Sequence, residues 1–414
     1  MKLPADLLAD LRGGLVAAAV VLPQATAFGV TVFAPLLGAG PGALAGLIGA
    51  ILLLLISGSA GGTVGLISGP NGPSMALLTG TVAVLASAGL APAAIAPALF
   101  IVTLLAGLIQ LLMALAGGGR LIKFIPYPVI AGLTTSIGFL LLTSQIKPML
   151  GISHAGSWSQ WHLLPIMTAA VAFGLTRYGP RVLPRLPGAI TGLIGGTAIF
   201  QLGRSFIDLP ALPTHWVIGI LPTLSAIHLP LDPFTYSWSQ LPWSLILYAA
   251  FALAVLASLN TLLTSVVADG ITGLRHNARR ELLAQSLGQI AVGLAGGVAG
   301  SASVGTTTTS VLAGARRWAA LTAGAILLLL LLFFGQAGQW LPTSALAGLI
   351  IASSLNLLET DIVAWARRRR TRLDAAVAVL VTTITLSYDL MSAVLVGLAI
   401  TILLFIREQS RAPV

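Results

Sequence analysis

Two stretches of the chain combine residue types that can hold an anion without any charged side chain. One is "GGTVGLISGPNGPS", Gly61 to Ser74, and the other is "GGVAGSASVGTTTTS", Gly296 to Ser310. Each places glycine and hydroxyl residues just ahead of a short apolar run, with no acid or base inside the stretch. A helix that starts there offers bare backbone N–H groups and about +0.5 of an elementary charge. Two such starts facing each other make an anion site from backbone alone. Half-helices are therefore expected to begin near Gly72 and Val304, with short extended segments before them, such as Thr63 to Ile67. The Thr306–Thr309 hydroxyls are expected to satisfy first-turn amides or to bond back to carbonyls. Small residues also serve close helix packing. Two interruptions at matching places favour a binding site over packing alone.

Other chemistries are missing their residues. With no cysteine there is no disulfide and no thiolate metal site. His154, His162, His215, His228 and His276 are scattered. No HExxH, EF-hand, Walker A or GxSxG pattern occurs. The carboxylates Asp269, Glu281, Glu359, Asp361, Asp374 and Asp389 fall at the ends of apolar runs. They are not expected to pair in a cavity, so an integral-membrane enzyme is not expected, nor a metal or cofactor.

The elements that must position the two stretches follow from composition. The chain has 414 residues, 57% of them hydrophobic and 8% charged, with mean hydropathy +1.00. A water-soluble surface needs about 25% charged residues. Apolar runs of bilayer-spanning length recur instead, so the fold class is an all-α polytopic membrane protein. A β-barrel would alternate polar and apolar residues in short segments. Breaks at Pro, Gly and charge clusters give fourteen spans: 12–33, 41–57, 72–89, 91–116, 125–149, 161–177, 187–203, 241–269, 279–298, 304–315, 317–335, 342–359, 374–387 and 388–406.

Basic residues orient them. Of 21 Lys and Arg, all but Lys147 and Arg204 fall on one side when the spans alternate. That side is cytoplasmic by the positive-inside rule, with both termini on it and the 204–240 loop outside. The net charge of +10 is thereby read as loop bias and not as a nucleic-acid surface. Seven spans per half make the second half enter the bilayer inverted, giving 7+7 inverted repeats with half-helices at spans 3 and 10. Met1 to Asp10 is not a cleavable signal, because it runs straight into a full-length span.

The chain resembles the sulfate permease (SulP) family of anion transporters, whose animal relatives include prestin and pendrin. The resemblance is carried by "DLRGGLVAAAVVLPQATAFG" (Asp10 to Gly29), with its Pro23–Gln24 pair, and by "LISGPNGPSMALL" (Leu66 to Leu78). "IPYPVIAGLTTSIGFLLLTSQIKPMLG" (Ile125 to Gly151) and "RRELLAQSLGQIAVGLAGGVAGSASVGTT" (Arg279 to Thr307) continue it in the family's order. It implies one transmembrane transport unit over 1–414. A core domain would come from about 12–116 and 241–335, and a gate domain from about 125–203 and 342–406. By position, Gln24, Phe28, Asn71, Gly72, Ser74, Ser301, Ser303 and Val304 would face the substrate.

Three departures stand out. Val304 lies where relatives often carry Arg, and Asn260 lies where many carry Glu. A C-terminal regulatory STAS domain is expected to be absent, since the chain stops at Val414. The expected function is secondary transport of a small anion, inorganic or dicarboxylate, by alternating access of an elevator-like core. An anion channel or voltage-driven motor of the same fold is the alternative. A nucleobase permease is disfavoured, because spans 8 and 10 carry no acid in their middle turns. H+ or Na+ stands as the candidate coupling ion, the lipid bilayer as solvent and a homodimer as candidate assembly. The expected location is a bacterial inner membrane.

Overall fold

The chain is described here from a computed structural model, which covers residues 5–117, 127–153, 156–184, 186–205, 213–220, 241–368, 371–387 and 396. Long apolar runs become long helices. α1 (Ala5–Leu37) continues for 33 residues despite Pro23 and Pro35 inside it. Proline has no N–H, so Pro23 leaves the Ala19 carbonyl without its helical donor in the middle of α1. α2 (Ala39–Leu52) passes through a π-helical turn at Leu53–Ser57 into the short α3 (Gly58–Ala60). Irregular backbone follows, then β1 (Ser68–Gly69), α4 (Gly72–Ser87) and α5 (Pro92–Leu115). α4 and α5 both carry proline in the first turn, where no helical N–H is needed.

A similar order recurs later in the chain. α10 (Trp243–Thr272) ends at Gly273, whose φ of 71° is the left-handed cap glycine tolerates. α11 (Ala278–Leu294), β2 (Ser301–Ala302), α12 (Val304–Leu312) and α13 (Ala319–Phe334) follow. The remaining helices are α6 (Tyr127–Ser144), α7 (Ile146–Met149), α8 (Leu163–Val182), α9 (Gly188–Arg204), α14 (Thr343–Leu355), α15 (Asp361–Arg367) and α16 (Arg372–Ser387). The run expected as one span over 125–149 is broken at Gln145 between α6 and α7.

The helices pack in two groups. α1 lies against α2, α4, α12 and α13, while α10 lies against α4, α5 and α12, and α11 against α5. In the second group α8 packs on α9 and α14, and α6 on α14 and α16. α1–α14, α1–α9 and α4–α6 contacts join the groups. The main apolar cluster runs from the first group into α6, α14 and α16 of the second, and within it Phe33 and Phe100 stack with ring centres 5.1 Å apart. Among the described residues, four segments are long and apolar enough to cross a membrane: Leu8–Leu37, Ala39–Ala60, α5 and α10. The expected span 388–406, most of the 204–240 loop and the chain ends lie outside the described residues.

Among the described residues, one sheet occurs. β1 and β2 pair antiparallel, with Ser68 opposite Ala302 and Gly69 opposite Ser301. The extended piece thus lies one residue past the expected Thr63 to Ile67, which forms a bend and a turn through Gly65 (φ 76°). The partner sets this register, because Gly300 and the first residue of α12 leave only Ser301 to Ser303 between them, and Ser303 N takes the Ile67 carbonyl. A Cβ on Gly300 would run into the Gly69 carbonyl, so glycine is required where the strands approach.

Candidate functional site

The paired strands hold the starts of α4 and α12 together. Asn71 is the N-cap of α4 and its Oδ1 accepts from Ser74 N at 3.1 Å. Its Nδ2 donates across the sheet to Ser301 Oγ (2.5 Å) and to the Ser301 carbonyl (3.3 Å). The ladder continues past the strand ends. Ser303 N donates to the Ile67 carbonyl at 3.1 Å, and Thr307 Oγ1 accepts from Ile67 N at 3.1 Å. Thr307 therefore binds the other half's backbone, whereas Thr309 bonds back to the Gly305 carbonyl at 2.8 Å. Side chains complete β2: Thr261 Oγ1 accepts from Ala302 N (3.4 Å) and Gln289 Oε1 from Gly300 N (3.3 Å).

α1 crosses beside this pair. Thr306 Oγ1 reaches Gln24 Oε1 at 3.5 Å and Ser303 Oγ at 3.3 Å. Gln24, Ser303 and Thr306 thus meet at the middle of α1, one residue past Pro23. Ser310 Oγ donates to the Gly13 carbonyl at 2.8 Å, fixing α12 along α1.

The sequence-expected residues fall into three sets. Gln24, Asn71, Ser301 and Ser303 join one hydrogen-bonded constellation. Ser74 is buried and its Oγ has no partner, and Gly72 is buried against Leu141 of α6. Phe28 is buried in the main apolar cluster, which is a packing position. Val304, at the first turn of α12, is 44% exposed.

The surroundings are short of basic groups. Among the described residues no Lys or Arg enters the constellation, and α12 has no side-chain cap. Its first-turn N–H groups supply the local positive end. Asn260 of α10 adds a second buried donor without a partner, its Nδ2. A cavity of about 440 Å³ lies farther along α1, lined by Ala27, Thr31, Gln145, Ile152, His215 and Thr343 among others. It lies toward the end of α1 that carries Thr31, where Gln145 Nε2 donates to Thr31 Oγ1 at 3.3 Å. The Gly151 carbonyl there accepts from Trp216 Nε1 at 2.9 Å. The opposite end of α1 carries Asp10, whose Oδ1 accepts from Arg316 N at 2.6 Å. Along the helix, Asp10 and Thr31 are about 30 Å apart.

Sequence reasoning missed one arm of the site. Glu281, Gln285 and Gln289 recur every four residues on α11 and all are buried. Their spacing was readable as one helix face. Glu281 was expected among the carboxylates at the ends of apolar runs, and it is 1% exposed and lines a small polar cavity. The loop ahead of β1 folds over it, and Gly62 N donates to its Oε2 at 2.8 Å.

Helices long and apolar enough to cross a bilayer define an integral membrane protein. The chain belongs to the sulfate permease family, whose model matches residues 7–382. Members of this family are transporters and not enzymes. The bicarbonate transporter BicA of Synechocystis sp. (strain ATCC 27184 / PCC 6803 / Kazusa) is 30% identical over 98% of this chain and 71% of that protein. The putative sulfate transporter YvdB of Bacillus subtilis (strain 168) is 27% identical over 97% of this chain and 74% of that protein. Among solved structures, the transmembrane domain of a cyanobacterial BicA superposes with TM-score 0.81 at 27% identity, covering 94% of this chain and 98% of that one. SLC26A9 shares the fold, with TM-score 0.79 at 19% identity over 98% of this chain and 66% of that one.

Proposed function

We propose that this protein is a secondary transporter of small anions, and that the anion sits between the starts of α4 and α12 over Gln24. One observation carries the reading: two helix starts are clamped face to face by β1 and β2 with no basic side chain between them. The antiparallel pairing is what two inverted repeats produce where they meet. α12, with nine residues, is about 14 Å long, roughly half the hydrocarbon thickness. Both features support fourteen spans arranged as 7+7 with half-helices at spans 3 and 10. The two packing groups support a core domain from about 12–116 and 241–335 working against a gate domain from about 125–203 and 342–406. Alternating access would carry the core past the gate.

Gln24, Asn71, Gly72, Ser74, Ser301, Ser303 and Val304 form or flank the site, with Phe28 packed beneath. Two helix starts supply roughly +1 in total, which matches a monoanion. A dianion would be left with about one buried uncompensated charge, at a cost of several kcal/mol. The apolar Val304 adds nothing to offset it. A monoanion such as bicarbonate is therefore the preferred substrate class, as the names of the BicA relatives also suggest. The cavity at the Lys147 and Arg204 end would open outside the cell. The termini would lie in the cytoplasm of a bacterial inner-membrane protein, with H+ or Na+ as coupling ion and a homodimer as the assembly.

Uptake of labelled bicarbonate, chloride and sulfate into proteoliposomes, with voltage and pH set separately, tests this. Saturable monoanion uptake with trans-stimulation supports it. Flux without trans-stimulation indicates a channel. Sulfate taken up better than every monoanion overturns the charge-matching argument.

A further inference from the structure

We infer that Glu281 is a proton-binding site linked to the anion site, loaded from the end of the molecule that carries Arg316 and Arg317. The inference rests on the transport reading above and adds a residue to it. Glu281 opens α11 and is 1% exposed. Its carboxylate is held by donors: Gly62 N at 2.8 Å, with the Thr63 backbone N and the Gln285 side chain also bonded to it. Thr63 Oγ1 in turn donates to Ser265 Oγ of α10 at 2.9 Å. Among the described residues no Lys or Arg forms an ion pair with Glu281. A carboxylate held by hydrogen-bond donors takes up a proton without stranding a partner cation.

The charged groups around it are few. Arg316 and Arg317, from the turn before α13, line the same cavity and are exposed. Arg280, the preceding residue of α11, sends its Nε to the Ala60 carbonyl at 2.9 Å. On α10, Asp269 is paired with His276 at 2.7 Å. The cavity beside Glu281, Ser57, Thr63 and Ser68 is about 10 Å³, room for about one water. Its exposed rim at Arg316 and Arg317 gives a proton from bulk water a short route to the carboxyl.

The link to the anion site is a chain of side chains. Gln285 bonds Glu281 and donates through Nε2 to Ser68 Oγ. Ser68 belongs to β1, opposite Ala302, and Ser303 opens α12. A proton on Glu281 turns one acceptor site into a donor, so the donors around the carboxyl rearrange. It also removes a negative charge from the helix group that carries both helix starts. Proton binding and anion binding therefore favour each other, and by linkage the effect is reciprocal.

Infrared difference spectroscopy of the purified protein reads the carboxyl directly. The expected result is a protonated-carboxyl band that titrates with pH, is missing in Glu281→Gln, and grows when bicarbonate or chloride replaces gluconate. In proteoliposomes, anion affinity should rise as pH falls on the Arg316 side, and Glu281→Gln should hold the low-pH affinity at every pH. Gln285→Met keeps the carboxyl and cuts its link to Ser68. It should leave the band titrating with pH but no longer responding to the anion, and it stands in if Glu281→Gln fails to fold. A band unchanged in Glu281→Gln overturns the proposal, as does a wild-type pH profile in that variant or an anion response that survives in Gln285→Met. A band that titrates and responds to anions in a protein that moves none would sink the transport reading and leave this one standing.

Discussion

The starts of α4 and α12 are equivalent in position and opposite in finish. At α4 the N-cap Asn71 bonds the Ser74 amide, proline occupies the first turn and the first seven residues are all buried. At α12 the N-cap Ser303 makes no cap bond, and Val304 and Gly305 are exposed. A helix start whose donors are already satisfied is scaffold, and one whose donors are open can bind. The difference teaches that the two starts divide the work. α4 sets the geometry through Asn71, and α12 offers the N–H groups that an anion would take.

The largest expected effect comes from closing the open start. Ser303→Asp places a fixed carboxylate on the α12 amides, stabilising that helix by about 1 kcal/mol. The same charge repels a bound anion by about 4 kcal/mol at 4 Å and an effective dielectric of 20. Transport should fall by more than tenfold while the thermal midpoint holds or rises. Retained transport would mean that the α12 start is not the binding end. Breaking the closed start comes next. Asn71→Ala removes a cap worth about 1 kcal/mol together with the bonds to Ser301, so the midpoint should drop and transport should fall with it. An unchanged midpoint would undo the assignment of Asn71 as scaffold.

Val304→Arg tests charge at the open start. It should move preference from monoanion toward sulfate by roughly tenfold, equivalent to about 1.4 kcal/mol. Competition uptake at fixed voltage measures this, and an unaltered ratio would count against the charge-matching argument. The smallest effect is expected at Gln24. Gln24→Ala should weaken anion affinity a few-fold with little loss of stability. If Gln24 only bonds Thr306, the midpoint should fall instead, by about 0.6 kcal/mol on the intramembrane scale, and a double-mutant cycle with Thr306→Val should show the coupling.

Much of this comparison was legible before any coordinates. The helices at α1, α5 and α10 follow from apolar length, and the starts at Gly72 and Val304 follow from where Gly, Ser and Thr replace Leu. The pairing of Ser68 and Gly69 with Ser301 and Ala302 was not legible, because two-residue strands leave no alternating pattern to read. The roles of Asn71 and Thr307 were hidden for a related reason. Their partners lie 230 and 240 residues away, and local sequence carries no trace of that. The π-helical turn at Leu53–Ser57 has the composition of ordinary helix. Glu281 is a different case: its four-residue spacing from Gln285 and Gln289 was present, but its place at a run's end gave no sign that the loop ahead of β1 would cover it.

The two-residue sheet also bears on how the molecule is made. A chain emerging from a ribosome displays Asn71 long before Ser301 exists, and the first half can insert its helices with nothing to clamp the α4 start. Closing so long a loop is entropically slow to be rewarded. The anion site is therefore among the last features to form during biogenesis, and a nascent chain stopped before Gly296 would be a bundle without a site. Supplying the missing half as a separate polypeptide should restore anion binding if the strands can still meet. The joint between the two strands can then close only once the second half has been made.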